Sequence, residues 1–519
     1  MEFKPAVPKE AAALIVLEAH GKKILWARRN PALKFLGGFH SFPGGKVDED
    51  DERCRVENAP NSETARLIAC AVRETFEEVG ILLVRNGERL TKGQLPLLHD
   101  DLESGRNAFS EILEYWGLLI DASDFEFAGV WTTPEFSPVR FETSFFVAKC
   151  PDKQVPYAAI TELEKIEFTL AEDAIEKWSE SKVLMAPPVL NTLRALEDAD
   201  KPVIDTARFS EICAEHAFNH ENGPHFIELN SRLKCFPVRT KTLPPATHTN
   251  CYISGGRRFV VIDAASPFED EQKKLNRFVG SLVEDGNSCE AIIVSHLHPD
   301  HFGGETSLKS YLLERFGFDV PIVAHRQTVE SLEDKVVFDQ EVEDSYSLQD
   351  NLGNPFDLSV LHTPGHARGH LCFYDEEFGF LLSSDNVVGQ GTVVIAPPEG
   401  DMSDYLDSLE KMKRLPGLRS LAGSHGSAVA DAIGKIEEYI THRLEREKQI
   451  LDAVSGGAKT LETVVDKVYR GLDPGLIPLA MKSAEAHLNK LTNDRVLDSD
   501  WLRSASANKK LVEFGDSMK

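Results

Sequence analysis

Apolar and polar positions change period several times along this chain of 519 residues. Residues 11 to 18 (AAALIVLE) and 22 to 28 (KKILWAR) are apolar runs flanking a glycine-containing turn, which predicts a hairpin. Residues 63 to 79 (ETARLIACAVRETFEEV) switch to helical spacing, with Leu67, Ala71 and Thr75 on one side and Gly80 placed to stop the helix. FEFAGVWTTP and RFETSFFVAKC read as strands, and an acidic, proline-containing stretch from about 170 to 205 reads as a closing helix and linker. A second pattern begins near Phe226. TNCYISGGRRFVVIDAAS predicts two strands around a Gly-Gly turn, after which strands (EAIIVSH, PIVAH, LSVLHTPGH, LCFYDEE, FGFLLSSD) alternate with helices (EQKKLNRFVGSLVED, SLKSYLLERF, SLEKMKRL) in a mixed α/β layer pattern. From about Asp431 to about Leu491 the period is helical throughout. There is no internal repeat and no low-complexity tract.

The length exceeds what one hydrophobic core fills, so two to four domains are expected. Apolar content of 42% and charged content of 27% are those of a globular protein in water. A net charge of −27 repels polyanions in general, so a nucleic-acid substrate would need a local basic patch or metal ions. The eight cysteines form no CxxC pair, which suits a reducing cytosol better than a disulfide framework. The N-terminal apolar run of about seven residues, with Glu10 ahead of it, reads as a strand and not as a signal peptide. No window approaches the ~18 apolar residues of a membrane span. These features predict a cytoplasmic protein with no membrane partner.

The densest chemistry lies in IVSHLHPDHFGG, residues 293 to 304. His296, His298, Asp300 and His301 fall within six positions, after an aliphatic run and before Gly303-Gly304. From an extended segment His296 and His298 can point the same way, while Asp300 and His301, on a turn, can face a second ion beside the first. A histidine-rich surface loop is the plain competing reading, and this spacing argues against it. His366 in HTPGHARGH, Asp385 at the end of FGFLLSSD and His425 in LAGSHG all lie at predicted strand ends, where one rim of a sheet can gather them. Five histidines and two aspartates are enough for two ions.

This set, with Asp263 in VVIDAAS, resembles the metallo-β-lactamase superfamily over roughly residues 226 to 440. The resemblance implies an αββα sandwich with the metals at one edge. It implies that His296, His298 and His366 hold the first ion, that Asp300, His301 and His425 hold the second, and that Asp385 bridges them. Asp263 would stand behind the ligands and orient one histidine. Gly423-Ser424 replaces the Pro-Gly that many members carry before the last histidine, and His248, His362 and His370 have no ligand slot, so a structural or substrate-lining role is expected for them. Two Zn2+ ions, or Mn2+ or iron, suit such donors. A bridging hydroxide would then attack a thioester or other ester, a lactam or a phosphodiester, and the ligand set alone does not choose among them.

After residue 441 come three predicted helices and a strand-like end, similar to the winged-helix-like tail of the β-lactamase-like protein 2 branch, whose members include an endoribonuclease selective for single strands. Residues 441 to 519 hold 13 Lys and Arg against 12 Asp and Glu, a basic balance relative to the whole. Arg443, Arg446, Lys482 and Lys490 are either solvated helix faces or a guide for a polyanion.

A second motif precedes all this. FPGGK (42 to 46) and RETFEEVGI (73 to 81) place Glu74, Glu77 and Glu78 on one helix face, where three carboxylates repel unless a cation intervenes. The stretch resembles the Nudix box GX5EX7REUXEEXGU, with the likeness extending over about residues 8 to 190. Glu74, Glu77, Glu78 and the Gly45 carbonyl would then bind Mg2+ or Mn2+. Arg73 would brace the glutamates while water attacks a diphosphate. Thr75 stands at an aliphatic position of the box, and Gly45 and Arg73 are 28 positions apart. Counted back from Arg73, the middle glutamate of the box falls on Ala65, with Glu63 as a substitute. The resulting long loop resembles the branch that includes coenzyme A diphosphatases.

Together these readings predict an α/β multi-domain protein. A Nudix α/β/α sandwich (1–195) leads through a linker (196–225) to an αββα metallo-β-lactamase sandwich (226–440) and a helical, winged-helix-like tail (441–519). The expected activity is that of a metal-dependent hydrolase with Asp300, Glu74, Glu77 and Glu78 as catalytic groups. The leading expected substrates are single-stranded RNA at the lactamase-like site and a nucleoside diphosphate derivative at the Nudix-like site. The alternatives are a small ester or thioester, with the Nudix domain as a nucleotide-binding or structural module. A non-hydrolytic di-iron protein would need a flavin-binding domain after the metal domain, and the tail carries no sign of one.

Overall fold

The computed structural model describes residues 5–33, 35–91, 93–157, 162–198, 205–244, 246–343, 347–349, 355–498 and 501. The chain divides into two compact units, Met1–Arg239 with Leu243–His248, and Thr240–Thr242 with Thr249–Lys519.

In the first unit the hairpin strands Lys9–Leu17 and Ile24–Arg29 lie at the centre of an eight-stranded mixed sheet. Lys9–Leu17 runs parallel to Phe141–Lys149. Its period of two is strict: Ala12, Leu14 and Val16 enter one apolar core and Ala13, Ile15 and Leu17 the other. The first core packs under helix Ser62–Val79, and the second under helices Ala171–Ser179, Pro187–Asp198 and Thr206–Asn222. These layers make the Nudix α/β/α sandwich. Helix Ser62–Val79 starts at Asn61, whose side chain accepts from the Thr64 N–H at 2.7 Å, and stops at Gly80 with φ 68°, as its sequence predicts.

One expectation needs correcting. Within the stretch read as linker, residues 196–225, the chain forms the 17-residue helix Thr206–Asn222. Asp205 caps it, and Phe209, Cys213 and Ala217, four apart, are buried in the second core. A stripe of three among TARFSEICAEHAFNHEN carries little periodic signal, so polar composition outweighed it. The helix comes so close to strand Glu126–Thr132 that a Cβ on Gly129, at φ 100°, would sit 2.9 Å from the Ala217 Cβ.

The second unit has the two sheets of the lactamase fold. In the first, Arg258–Ile262 pairs antiparallel with His248–Gly255 and parallel with Ser288–Val294, which is followed by Ile322–His325 and Gln340–Val342. The second runs Ser347–Gln349, Pro355–His362, Leu371–Asp375, Phe380–Ser384 and Ser420–Gly423. The two sheets meet near their rim, where Leu371 N–H donates to Ser295 O at 2.9 Å and Tyr252 O–H to Gly423 O at 2.7 Å. Helices Met402–Lys413 and Ala432–Ser455 cover the second sheet through Tyr405, Leu409, Met412, Ile436 and Tyr439. The tail helices Leu461–Val468 and Ile477–Asn493 close a small core with the end of Ala432–Ser455 around Ile450, Val464, Ala484 and Leu488. The chain turns after Asn493, and beyond Asp498 all but Trp501 lies outside the described residues, with the rest of the expected strand-like end. Among the described residues no helix is long and apolar enough to cross a membrane.

Candidate metal centres

Parallel strands Arg258–Ile262 and Ser288–Val294 end side by side, Ile262 opposite Ile293, so Asp263 emerges next to Ser295. Asp263 is buried, and its carboxylate accepts from Ser295 N–H (2.8 Å), Ser295 O–H (2.8 Å) and His301 Nδ1 (2.9 Å). These bonds keep a proton of His301 on Nδ1 and turn Nε2 inward, where it becomes a lone pair once a cation displaces its proton. Ser295 Oγ, having donated its proton to Asp263, accepts from His296 Nδ1 at 3.0 Å, so His296 Nε2 is also an inward lone pair. His366 Nδ1 donates to the Val394 carbonyl at 2.9 Å, with the same result.

All seven expected ligands converge. Donor atoms of His296, His298 and His366 lie within 4.8 Å of one another, as do those of Asp300, His301 and His425, and a third group of His296, His301 and Asp385 joins the two. Asp385 Oδ2 is 3.5 Å from His301 Nε2 and 3.6 Å from His366 Nε2, while its Oδ1 is 3.5 Å from His425 Nε2. Asp300 Oδ2 is 3.4 Å from His425 Nε2. Two ligands ~2.1 Å from a tetrahedral ion stand roughly 3.4 Å apart, so this spacing suits donors sharing a cation. The hydrogen bonding agrees: His301 Nε2, His366 Nε2 and Asp385 Oδ1 are buried without a hydrogen-bond partner. Backbone strain marks the same place. Asp263 (φ 56°) and Ser384 (φ 44°) adopt left-handed backbone, at a cost of about 1–3 kcal/mol each.

Charge in this pocket is split. Burial and neighbouring imidazoles push His296 well down and His366 to about 3. Burial would lower His425 and His301 too, but Asp385 and Asp300 prevail, raising His425 to about 10 and His301 well above its ordinary value. The same imidazoles hold Asp300 and Asp385 ionised against the opposing effect of burial. The pocket therefore holds anionic oxygens, neutral imidazoles at His296 and His366 and protonated ones at His301 and His425, whose second protons a bound divalent cation would displace.

The remaining histidines have other work. His370 Nδ1 pairs with Thr363 Oγ1 (3.1 Å), and its Nε2 accepts from Asp385 N–H at 3.2 Å, so it holds Asp385 in place. His362 pairs with Arg368 O at 2.7 Å and stacks on His325. His248 pairs with Thr247 Oγ1 at 2.8 Å. Sequence reasoning missed Ser295 and the positioning part of His370, because a lone serine carries no signal and HTPGHARGH offers His362, His366 and His370 without ranking them.

The acidic helix of the first unit is organised differently. Arg73 NH1 donates to Glu74 and Glu77, each at 2.9 Å, and Glu78 accepts from Gly44 N–H at 2.8 Å. Arg73 Nε and NH2 grip the carboxylate of Asp51 at 2.8 and 2.9 Å. Asp51 stands six positions after Gly45, the place of the box's middle acid when counted forward from the glycine. Glu63, the expected substitute, is exposed in the first turn of the helix. The inserted residues therefore follow the acid and do not precede it, and counting from Gly45 would have found it. A Cβ on Gly45 would lie 2.5 Å from the Glu74 carboxyl, so the glycine leaves the space that carboxylate occupies beside strand Gly44–Lys46. Burial, with Arg73 opposing, raises Glu77 to about 7; burial and the Glu74 charge raise Glu78 to about 8; Glu74 is raised too. Among the described residues, Glu74, Glu77 and Glu78 do not reach the mutual 4.8 Å of the lactamase-type groups. Arg73 already places a cation between Glu74 and Glu77.

Paired sheets with two cations' worth of donors on one rim define a hydrolase of the lactamase fold. The metallo-beta-lactamase superfamily profile matches residues 244–425, the NUDT19 Nudix domain profile residues 53–196, and that of the beta-lactamase associated winged helix domain residues 460–500. A beta-lactamase-like protein 2 homolog of Drosophila melanogaster is 31% identical over 258 residues, covering 47% of this chain and 82% of that one. The Caenorhabditis elegans homolog is 28% identical over 256 residues, with 48% and 81% covered. A Nudix hydrolase structure from Alicyclobacillus acidocaldarius covers 39% of this chain and 96% of its own at 30% identity and a TM-score of 0.35. The chain belongs to the metallo-beta-lactamase superfamily, and it joins that domain to a Nudix domain and a winged-helix tail.

Proposed function

We propose that this hydrolase works at two separate metal sites, one acting on an ester and one on a diphosphate. The observation that carries the first is the convergence of seven donors with three buried, unpartnered atoms among them. Two divalent ions bound there, zinc being the natural choice for this nitrogen-rich set, would acidify a shared water and offset the charge developing on an attacked carbonyl or phosphoryl oxygen. The chain's own part is to orient. Asp263, Val394 and His370 set His301, His366 and Asp385, while Asp300, whose side chain keeps 15% exposure, can take a proton from the attacking water.

The four basic residues expected to guide single-stranded RNA are bonded within the chain. Arg443 is buried and bound to Thr392 and Val393, and Arg446 to Val468 O and the Tyr469 ring. Lys482 pairs with Pro397 O and Glu485, and Lys490 with Glu447 and Asp494. None of the four is left to a phosphate backbone, and the whole chain carries −27. A small ester or thioester is therefore the better-supported substrate class. At the Nudix site, Glu74, Glu77 and Glu78 would hold Mg2+ or Mn2+ for hydrolysis of a nucleoside diphosphate derivative. Purified protein with defined metals, assayed on thioesters, RNA and nucleotide diphosphates, tests both halves. Ester turnover is expected to vanish in Asp300→Ala and diphosphate turnover in Glu77→Gln, each leaving the other intact. Diphosphate turnover surviving Glu77→Gln, or RNA as the only substrate sensitive to Asp300→Ala, would reverse the corresponding half.

A further inference from the structure

Between Asp385 and helix Met402–Lys413 runs a segment, 386–400, without regular structure. It reaches all three ligands that lie outside the HLHPDH motif. It begins beside Asp385, Gly389 N–H donates to the carbonyl of His425 at 3.0 Å, and the Val394 carbonyl accepts from His366 Nδ1 at 2.9 Å. Helix Ala432–Ser455 and the tail helix Ile477–Asn493 hold its outer side. Tyr439 O–H donates to Gly391 O at 3.0 Å, Arg443 NH2 to Thr392 Oγ1 at 2.9 Å and Val393 O at 2.6 Å, and Lys482 Nζ to Pro397 O at 3.3 Å.

Arg443 is the unusual member. It is 3% exposed, and its contacts are a carbonyl, a hydroxyl and the face of Tyr405, with Nε unpartnered. No carboxylate pairs with it among the described residues. A buried guanidinium with only neutral acceptors is costly, and an apolar side chain of its size would serve stability better. What it achieves is placement, since the carbonyl it binds belongs to the residue before Val394. We infer that Arg443 is a positioning residue for the metal centre, setting His366 through Val393 and Val394, and that the helical tail acts as a brace for the ligands. This rests on the metal-site reading above.

The test is Zn2+ binding by the full chain, followed in competition with a chromophoric chelator, together with the Co2+ absorption spectrum. Outer partners of ligand histidines typically contribute about 10–100-fold in affinity. Arg443→Met is expected to weaken one of two ions about tenfold and to alter the Co2+ spectrum, with Arg443→Lys recovering most of the loss. Arg446→Met, on the same helix but bonded within the tail, should leave both ions at wild-type affinity. Thr392→Val, on the exposed side of the segment, removes one acceptor and should weaken the same ion about two- to threefold, which keeps the test alive if Arg443→Met fails to fold. Wild-type affinity in Arg443→Met or in Thr392→Val, or an equal loss in Arg446→Met, would overturn the inference. Wild-type protein that binds no ion would instead overturn the metal-site reading beneath it.

Discussion

Asp51 offers the sharpest test of how the Nudix domain is built, because the long loop hides it from a count made back from Arg73. Its carboxylate is 1% exposed and accepts three bonds: Arg73 Nε at 2.8 Å, Arg73 NH2 at 2.9 Å and Asp48 N–H at 2.7 Å. Truncation to alanine leaves a guanidinium of 10% exposure facing an apolar gap. Breaking a buried ion pair from one side costs about 3–5 kcal/mol. Arg73 would keep Glu74, Glu77 and Lys46 O, so the low end applies, about 3 kcal/mol. Asp51→Asn keeps one acceptor and should cost about 2 kcal/mol. Freed from Asp51, Arg73 would close on Glu74 and Glu77 and compete with a divalent ion, so Mg2+ affinity should fall as well. Trp26, Trp116, Trp131 and Trp178 lie in the first unit and only Trp501 outside it, so urea unfolding followed by tryptophan fluorescence reads the correct part. A loss under about 1 kcal/mol in Asp51→Ala, or Glu63→Ala proving the more damaging change, would refute the assignment.

Asp263→Asn should lower metal affinity at the lactamase-type site about 10–100-fold, read by chelator competition, because it removes the charge that fixes the His301 tautomer. The raised carboxyls of Glu77 (about 7) and Glu78 (about 8) keep protons in the folded first unit that the unfolded chain loses near pH 4.5. The metal-free unit should therefore lose stability as pH rises from about 4.5 to 8, and Mg2+ affinity, which requires those protons to leave, should be about 500-fold weaker at pH 6 than at pH 8 by calorimetry. Phe209→Ala, in the helix that replaces the expected linker, should destabilise the first unit by about 3–5 kcal/mol in the same fluorescence assay, where a surface linker would show almost nothing.

The cluster of lactamase-type donors was legible because each sits near where a strand of strong apolar period ends, and parallel strands bring their ends to one rim whatever the intervening loops do. Ile262 opposite Ile293 is a consequence of two aliphatic runs, and it alone places Asp263 beside the histidine loop. Bonds made by common residues at no particular spacing stayed hidden: Ser295 relaying between Asp263 and His296, His370 accepting from the Asp385 amide, the Val394 carbonyl under His366. Helix Thr206–Asn222 was hidden for a different reason. Its buried stripe is only three residues wide, and tertiary packing against Gly129 makes up for what periodicity lacks.

The two centres differ most in how they balance charge, and that difference governs what each needs from a metal. In the lactamase-type site the outer atoms are satisfied and the inner ones are not. Asp263, Val394 and His370 hold their partners from behind, so His301 Nε2, His366 Nε2 and Asp385 Oδ1 face inward without a hydrogen-bond partner among the described residues. That arrangement costs folding free energy unless a cation bonds those atoms, so metal binding and stability should be strongly coupled there. At the Nudix site the chain supplies its own compensation. Arg73 bridges Glu74 and Glu77, Asp51 anchors Arg73, and protons neutralise Glu77 and Glu78 near neutral pH. A divalent ion there must displace protons and move glutamates that Arg73 already holds, so its binding should be weaker, steeper in pH and less important to the fold. One chain thus carries a pre-set donor cluster suited to a resident ion and a charge-balanced acidic cluster that would hold an ion only loosely.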